Sequence, residues 1–175
     1  MIKLVQLSYD YQRHLNEMMD EWWALEGSEI VPYAIIKNDY KDFGNYLRNL
    51  DVDEDMAKLT NLVPDVTYFA LDTDRDIFVG AVNIRKFLNE KLLKYGGHIG
   101  YGVRPSERNK GFGTKILSLA LEKCHMLGIS KVLMTCDASN VASAKVIQNN
   151  GGIMENEILE PSGLNPIQRY WIDLR

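Results

Sequence analysis

The chain has 175 residues, a mass of 20.0 kDa, 46% hydrophobic and 25% charged side chains, and a formal charge of −4. That is one domain, residues 1–175, long enough to bury roughly 70% of its unfolded surface without help from a metal or disulfide. A sequence pI of about 5.4 argues against a domain that coats nucleic acid by charge, and no apolar run reaches the ~20 residues of a membrane span.

Cys124 and Cys136 are too few for a disulfide scaffold and too far apart for a C-x-x-C motif; both sit in apolar runs and read as core residues. The opening MIKLVQLSYDYQR lacks the apolar segment of a secretory signal, so a cytoplasmic, reduced protein is expected.

Ile2 to Leu7 alternates as a strand does. Ser8 or Asp10 is placed to cap a helix that runs to about Leu25 and stops at Gly27. Residues 28–38 are loop-like around Pro32. Helical spacing returns from about Tyr40 to Leu50, then comes the acidic DVDED segment and a short helix ending before Pro64. VTYFALDT and DIFVGAVNIRKF are β-rich and flank a polar hairpin turn, Asp72 to Asp76. Residues 88–97 connect to HIGYGVRP, a strand stopped by Pro105, in which Gly96, Gly97, Gly100 and Gly102 mark bulges or close approaches.

Ile116, Leu117, Ala120, Leu121, Cys124 and Leu127 fall at helical spacing and Gly128 ends that helix. KVLMTC is a compact strand. Ala142, Val146 and Ile147 suit one side of a further helix closed by Gly151-Gly152. Strands near Ile153–Leu159 and Gln168–Leu174 are joined by the turn-rich PSGLNP. The main order is β-α-α-β-β-β-α-β-α-β-β, an α/β (α+β) fold with a mixed, mostly antiparallel central sheet flanked by helices.

The chemistry concentrates in VRPSERNKGFG, Val103 to Gly113. It leaves a strand, passes a proline and opens a helix with two glycines two residues apart. The first turn of a helix has unpaired N–H groups and partial positive charge, and glycine lets an anion approach the backbone. Arg108 and Lys110 add charge, so Asn109 to Thr114 would cradle a diphosphate; a plain tight turn is the alternative. A Walker loop is absent, and G-F-G-T-K-I lacks the third glycine of a dinucleotide fingerprint.

These residues resemble the GNAT superfamily of acetyl-CoA-dependent N-acetyltransferases. Val103-Arg104-Pro105 followed by Arg108-Asn109-Lys110-Gly111-Phe112-Gly113 is similar to its V-x-P…[RQ]-x-x-G-x-[GA] signature. Lys131–Cys136 looks like the strand that splays from its neighbour, and Asn140-Val141-Ala142-Ser143, running into Ile147 and Asn150-Gly151-Gly152, like the helix that follows. GGHIGYGVRPSERNKGFG and the final RYWI are similar to a branch of predicted bacterial acetyltransferases. The resemblance is dense from about Asp76 to the C-terminus.

The resemblance implies a GNAT fold with splayed central strands and an enzyme that uses acetyl-CoA as acyl donor, with no metal. The backbone of Tyr101 and Val103 would pair with the pantetheine arm. N–H groups from Arg108 through Asn109, Lys110, Gly111, Phe112 and Gly113 to Thr114 would hold the pyrophosphate. Asn140 and Ser143 would hydrogen-bond the cofactor, and Lys145 would reach the 3′-phosphate or remain a solvated lysine.

The expected reaction is direct attack of an amine, in a ternary complex, on the thioester. His98 at the head of the central strand is one candidate base, or else a structural histidine that fixes the Gly96-Gly97 bend; Glu29 beside Pro32 and Tyr33 is another candidate base. Many relatives have a tyrosine seven residues after the helix asparagine; here that position is Ile147. Tyr101 or Tyr170 would then protonate the thiolate, or it would leave unaided. Trp22, Trp23, Tyr33 and Tyr40 beside Glu26, Glu29, Asp51, Asp53, Glu54 and Asp55 would suit a cationic amine, or would be core aromatics and a solvated acidic surface. The expected partner is a small-molecule amine, not nucleic acid or a membrane. A non-catalytic acetyl-CoA sensor and a protein-modifying acetyltransferase are the alternatives, and a homodimer is the assembly the resemblance admits.

Overall fold

The computed structural model describes residues 1–161, 163 and 165–175. Ser162 and Leu164 of the expected PSGLNP turn lie outside the described residues. Strand β1 (Ile2–Val5) leads into helix α1 (Gln12–Glu26), followed by the short helices α2 (Phe43–Arg48) and α3 (Glu54–Leu59). Then come β2 (Asp65–Asp72), β3 (Ile77–Arg85), β4 (Ile99–Val103), α4 (Phe112–Met126), β5 (Lys131–Asp137), α5 (Val141–Asn149), β6 (Ile153–Leu159) and β7 (Pro166–Asp173).

Every strand ladder is antiparallel. One sheet has the order β1-β2-β3-β4 and the other β5-β7-β6. Strand β3 lies inside the first sheet with helices over both faces, which is why Phe78 to Ile84 is buried on both sides rather than alternating. On one face α1 lays down Leu15, Met18, Met19 and Trp22, an i, i+3, i+4, i+7 stripe, with Phe43 and Tyr46 of α2 beside it. On the other, Ile116, Leu117, Ala120 and Cys124 of α4 pack against Val79, Val82 and Met134, with Ile147 of α5. Each Leu, Ile, Val, Met or Phe side chain among them contributes about 1.5–3 kcal/mol of burial.

Several boundaries differ from expectation. β1 ends at Val5, and neither Ser8 nor Asp10 caps α1, because a 3₁₀ turn (Tyr9–Tyr11) intervenes with no side-chain cap bond. The second helix begins at Phe43, where Asp42 accepts the Asn45 N–H at 3.4 Å. The 28–38 loop carries a 3₁₀ turn at Tyr33–Ile35, and the 88–97 connection a π turn at Leu92–Gly96.

The two sheets meet just before β4. The His98 N–H donates to Leu133 O at 2.8 Å, and the Leu133 N–H donates to His98 Nδ1 at 2.9 Å. A Cβ on Gly97 would lie 2.5 Å from Leu133 O, so only glycine lets the chains come this close. Beyond this pin β4 pairs with β3 and β5 with β7, and among the described residues no ladder joins β4 to β5. The strands splay and leave a gap.

His98 is 7% exposed, and burial, with the Arg85 charge adding to it, pushes the imidazole down to about 4. The folded state therefore holds the neutral ring while an unfolded chain takes up a proton below about 6.5. Stability carried by this group is complete above pH ~6.5 and falls by about 3 kcal/mol in total as pH drops to about 4. In His98→Asn, whose Oδ1 can still accept the Leu133 N–H, that stretch of the stability–pH curve should flatten, read by urea melts from pH 4 to 7.5.

Candidate active site

The gap opens into a cleft of about 460 Å³. One wall is the free edge of β4. Arg104 N–H bonds Val79 O across the ladder, so alternation turns the N–H and C=O groups of Tyr101 and Val103 away from β3 and into the gap.

The floor is the N-terminus of α4. Asn109 and Gly111 both have positive φ, 61° and 82°, and the turn they make aims successive N–H groups at the cleft. The first intrahelical bond runs from the Lys115 N–H to Gly111 O, leaving the Phe112, Gly113 and Thr114 N–H groups without helical partners. Gly113 is needed for space, since a Cβ there would lie 3.3 Å from Val146 and 3.7 Å from both Tyr101 and Val103. Asn140, Ala142, Ser143 and Val146 of the α5 end close the side, where the Tyr101 hydroxyl lies 3.3 Å from Ser143 Oγ.

The loop before α4 is clamped by carboxylates from distant elements. Glu107, 5% exposed, takes a two-pronged contact from Arg75 of the β2–β3 turn at 3.0 and 2.8 Å and a third from Lys110 at 3.3 Å. Arg75 is the main reason its carboxyl sits below the ordinary range. Glu21 of α1 accepts from Arg104 Nε at 2.6 Å and from the Ser106 N–H at 2.9 Å. The loop is thus held before any anion arrives.

The opposite wall is formed by Trp22, Glu26, Glu29 and Val31. Trp22 packs on β4 where Gly102 has no side chain; a Cβ there would lie 2.0 Å from Val31 O and 2.8 Å from the indole. Glu26 accepts the Trp22 Nε1–H at 2.8 Å and pairs with Arg108 Nη1 at 2.5 Å. Arg108 holds the Glu26 carboxyl below its ordinary value against the opposing effect of burial, with Trp22 assisting. Glu29 is exposed at the cleft rim.

The structure therefore brings Glu29, Tyr101, Val103, Arg108, Asn109, Gly111, Phe112, Gly113, Thr114, Asn140 and Ser143 to one cleft. The Lys110 side chain is not in the lining, since its ammonium turns to Glu107, which leaves only its backbone N–H to serve the cleft; Lys145 is exposed outside the lining. His98 is outside it as well: its one acceptor lone pair is used by Leu133, so it has none left to take a proton, and the candidate base becomes a structural pin. Asn140 Oδ1 caps α5 by accepting the Ser143 N–H at 3.0 Å. Tyr170 is a core residue outside the lining whose hydroxyl donates to Gln168, so of the two tyrosines Tyr101 is the one the structure brings to the cleft. Ile147 is fully buried in the core, and Val146 one residue earlier lines the cleft.

Of the acidic and aromatic set in 22–55, Tyr40 donates to Asp20, Asp51 accepts from the Thr67 N–H and Asp53 caps α3; these are structural. Glu107, Val31 and Val146 are cleft residues that sequence reasoning missed. Val146 was findable, three residues from Ser143 on one helix face.

Splayed antiparallel sheets whose gap ends on a glycine-turned helix N-terminus are the architecture of an acyl-CoA-dependent transferase. The chain belongs to the GNAT acetyltransferase family: residues 40–153, more than half of it, match the family described as Acetyltransferase (GNAT) domain. Among curated proteins none matches. Solved structures share the fold at low identity. The microcin self-immunity acetyltransferase MccE, in complex with acetyl-CoA and AMP, has TM-score 0.67 at 15% identity over 98% of this chain and 92% of that one. An acetyltransferase from Salmonella typhimurium that modifies the N-terminal serine of a 50S ribosomal subunit protein gives 0.66 at 14% over 99% and 95%. Mutant forms of the spermidine/spermine N-acetyltransferase SpeG from Vibrio cholerae give 0.61 at 13% over 99% and 95%.

Gly111→Trp should abolish acetyl-CoA binding, because a Cβ there meets nothing within 4 Å and the indole would fill the cleft. The variant should still unfold cooperatively, less stable by about 1–2 kcal/mol because the left-handed backbone disfavours a side chain. Titration calorimetry beside a thermal melt checks both; unchanged affinity would refute the site.

Proposed function

We propose that this acetyltransferase moves the acetyl group of acetyl-CoA to a primary amine of a small molecule, by direct attack within a ternary complex. One observation carries the reading: a single cleft has the unpaired backbone edge of β4 and the start of α4 on one side and two carboxylates, Glu26 and Glu29, on the other. The donor brings the thioester. Free N–H groups at the start of α4 suit its diphosphate, and the open edge of β4 suits the amides of its pantetheine arm, like an added strand.

An alkylamine of pKa near 10.4 is about 0.04% neutral at pH 7, so a proton acceptor near the nitrogen lowers the barrier. Glu29 is the cleft carboxylate free for that role, since Glu26 is already paired with Arg108 and Trp22. Tyr101 is the hydroxyl nearest the cofactor wall; burial raises it above its ordinary value, so it stays protonated and able to donate to a departing thiolate. A Val31-Pro32 segment lying tight on Gly102 narrows the acceptor side and favours a small amine over a folded protein surface.

Thiol release from acetyl-CoA with a panel of diamines, aminoglycosides, amino acids and short peptides tests the reading. Turnover should appear with a small primary amine; turnover with peptides alone would move the acceptor to a protein N-terminus, and none at all would favour a sensor. Glu29→Gln should lower kcat at pH 7 by about 10²–10⁴-fold with little change in acetyl-CoA affinity. The loss should shrink as pH approaches the amine's own pKa, and a loss that stays constant with pH would remove Glu29 as the base.

A further inference from the structure

Arg108 stands between the two halves of the cleft. Its Nε–H donates to Val103 O at 3.0 Å, a carbonyl on the free edge of β4, and its Nη1 pairs with Glu26 Oε1 at 2.5 Å. The guanidinium therefore occupies both a group that an added pantetheine strand would use and a carboxylate on the acceptor wall. The two partners differ in freedom. The Arg108 side chain is 42% exposed on the loop that opens α4, whereas that of Glu26 is 27% exposed and is tied back by the Trp22 indole N–H at 2.8 Å. Trp22 is itself buried against Gly102. Of the pair, the arginine is the one that can leave.

The geometry points to a donor-first relay: Glu26 is the carboxylate that receives a cationic acceptor, and Arg108 masks it until the donor's diphosphate draws the guanidinium away. Arg108 follows Glu107 and directly precedes the Asn109–Gly111 turn, so the diphosphate cradle lies within a side chain's reach of it. An anion there competes with Glu26 for the same cation. Once Arg108 turns, the acceptor wall holds two unmasked carboxylates, Glu26 and Glu29, beside an aromatic ring. That set selects a primary alkylammonium and rejects neutral or anionic amines such as free amino acids. Linkage makes the effect reciprocal, so donor and acceptor raise each other's affinity by the same factor, with couplings of this kind running about 5–150-fold.

This inference rests on the acetyl-transfer reading, and coenzyme A is the probe that separates the two. Calorimetry compares the unmodified chain, Glu26→Gln, Arg108→Ala and the double variant. Measurable binding of coenzyme A to the unmodified chain keeps the cofactor site on which the transfer reading depends, whatever the variants do; its absence removes both. With binding present, Glu26→Gln should tighten it by about 3–10-fold, since the competing carboxylate is gone, and in the Arg108→Ala background the same change should have no effect. Unchanged affinity in Glu26→Gln, or an equal gain without Arg108, overturns the relay and leaves the cofactor site intact. A second measurement leaves Glu26 in place. With Trp23 and Trp171 changed to phenylalanine, Trp22 is the only indole of the three in the chain. Its emission should shift on saturation with coenzyme A and stay fixed when Arg108→Ala is added. An emission that does not respond to coenzyme A, or responds equally without Arg108, also overturns it.

Discussion

Two hydrogen bonds made by His98 decide the shape of this molecule. They join the start of β4 to the middle of β5, and past them each strand takes its ladder from the other side. A continuous sheet would have satisfied the Tyr101 and Val103 backbone groups with a neighbouring strand. The splay leaves them facing a cleft instead, as a sheet edge inside the protein. The edge is protected because α4, α5 and α1 close around it, so it offers pairing to a narrow ligand and not to another sheet. Gly97 makes the pin, Gly102 admits Trp22 and Val31, and Gly113 leaves room beside Val146.

Charge is arranged around this gap more tightly than the net value of −4 suggests. Glu107 is clasped by Arg75 and Lys110, Glu21 by Arg104 and Ser106, and Glu26 by Arg108. These carboxylates pull a basic loop into place and offset its charge. A loop anchored this way loses little further freedom on binding, which is where preorganised sites gain affinity. Glu29, at the cleft rim, is a carboxylate left out of these pairs.

The place that a tyrosine holds in many GNAT relatives shows how a residue can be excluded by packing. Ile147 is fully buried, and a Cβ on Gly152 would lie 2.4 Å from its Cγ2. Ile147 therefore belongs to the core and not to the cleft lining, while Tyr101 lines the cleft from β4 with its hydroxyl 3.3 Å from Ser143 Oγ. The fold tolerates this exchange because α5 touches the gap along one face only. Structures that share the fold at 13–15% identity include enzymes whose names cite quite different acceptors, as expected when one fold carries different sites.

Much of this was legible in the order of residues. The periodicity of α1 and α4, the doubly buried run of β3 and the glycines of VRPSERNKGFG are local signals, because helix, strand and anion-binding turn are local structures. They determined the family, the element order and the glycine turn that opens α4. The tertiary structure alone decided which side chains meet. Arg75 and Glu107 lie 32 residues apart, Arg108 and Glu26 82, and no short-range pattern marks such pairs. His98 could be read from the sequence as a base or as a structural histidine, because a histidine heading a central strand near glycines suits both; burial and one backbone N–H on its Nδ1 are what favour the structural role. Ionisation and hydrogen-bond capacity depend on surroundings that the chain assembles only on folding, so the roles of His98, Tyr170 and Ile147 were settled by packing and not by composition or spacing.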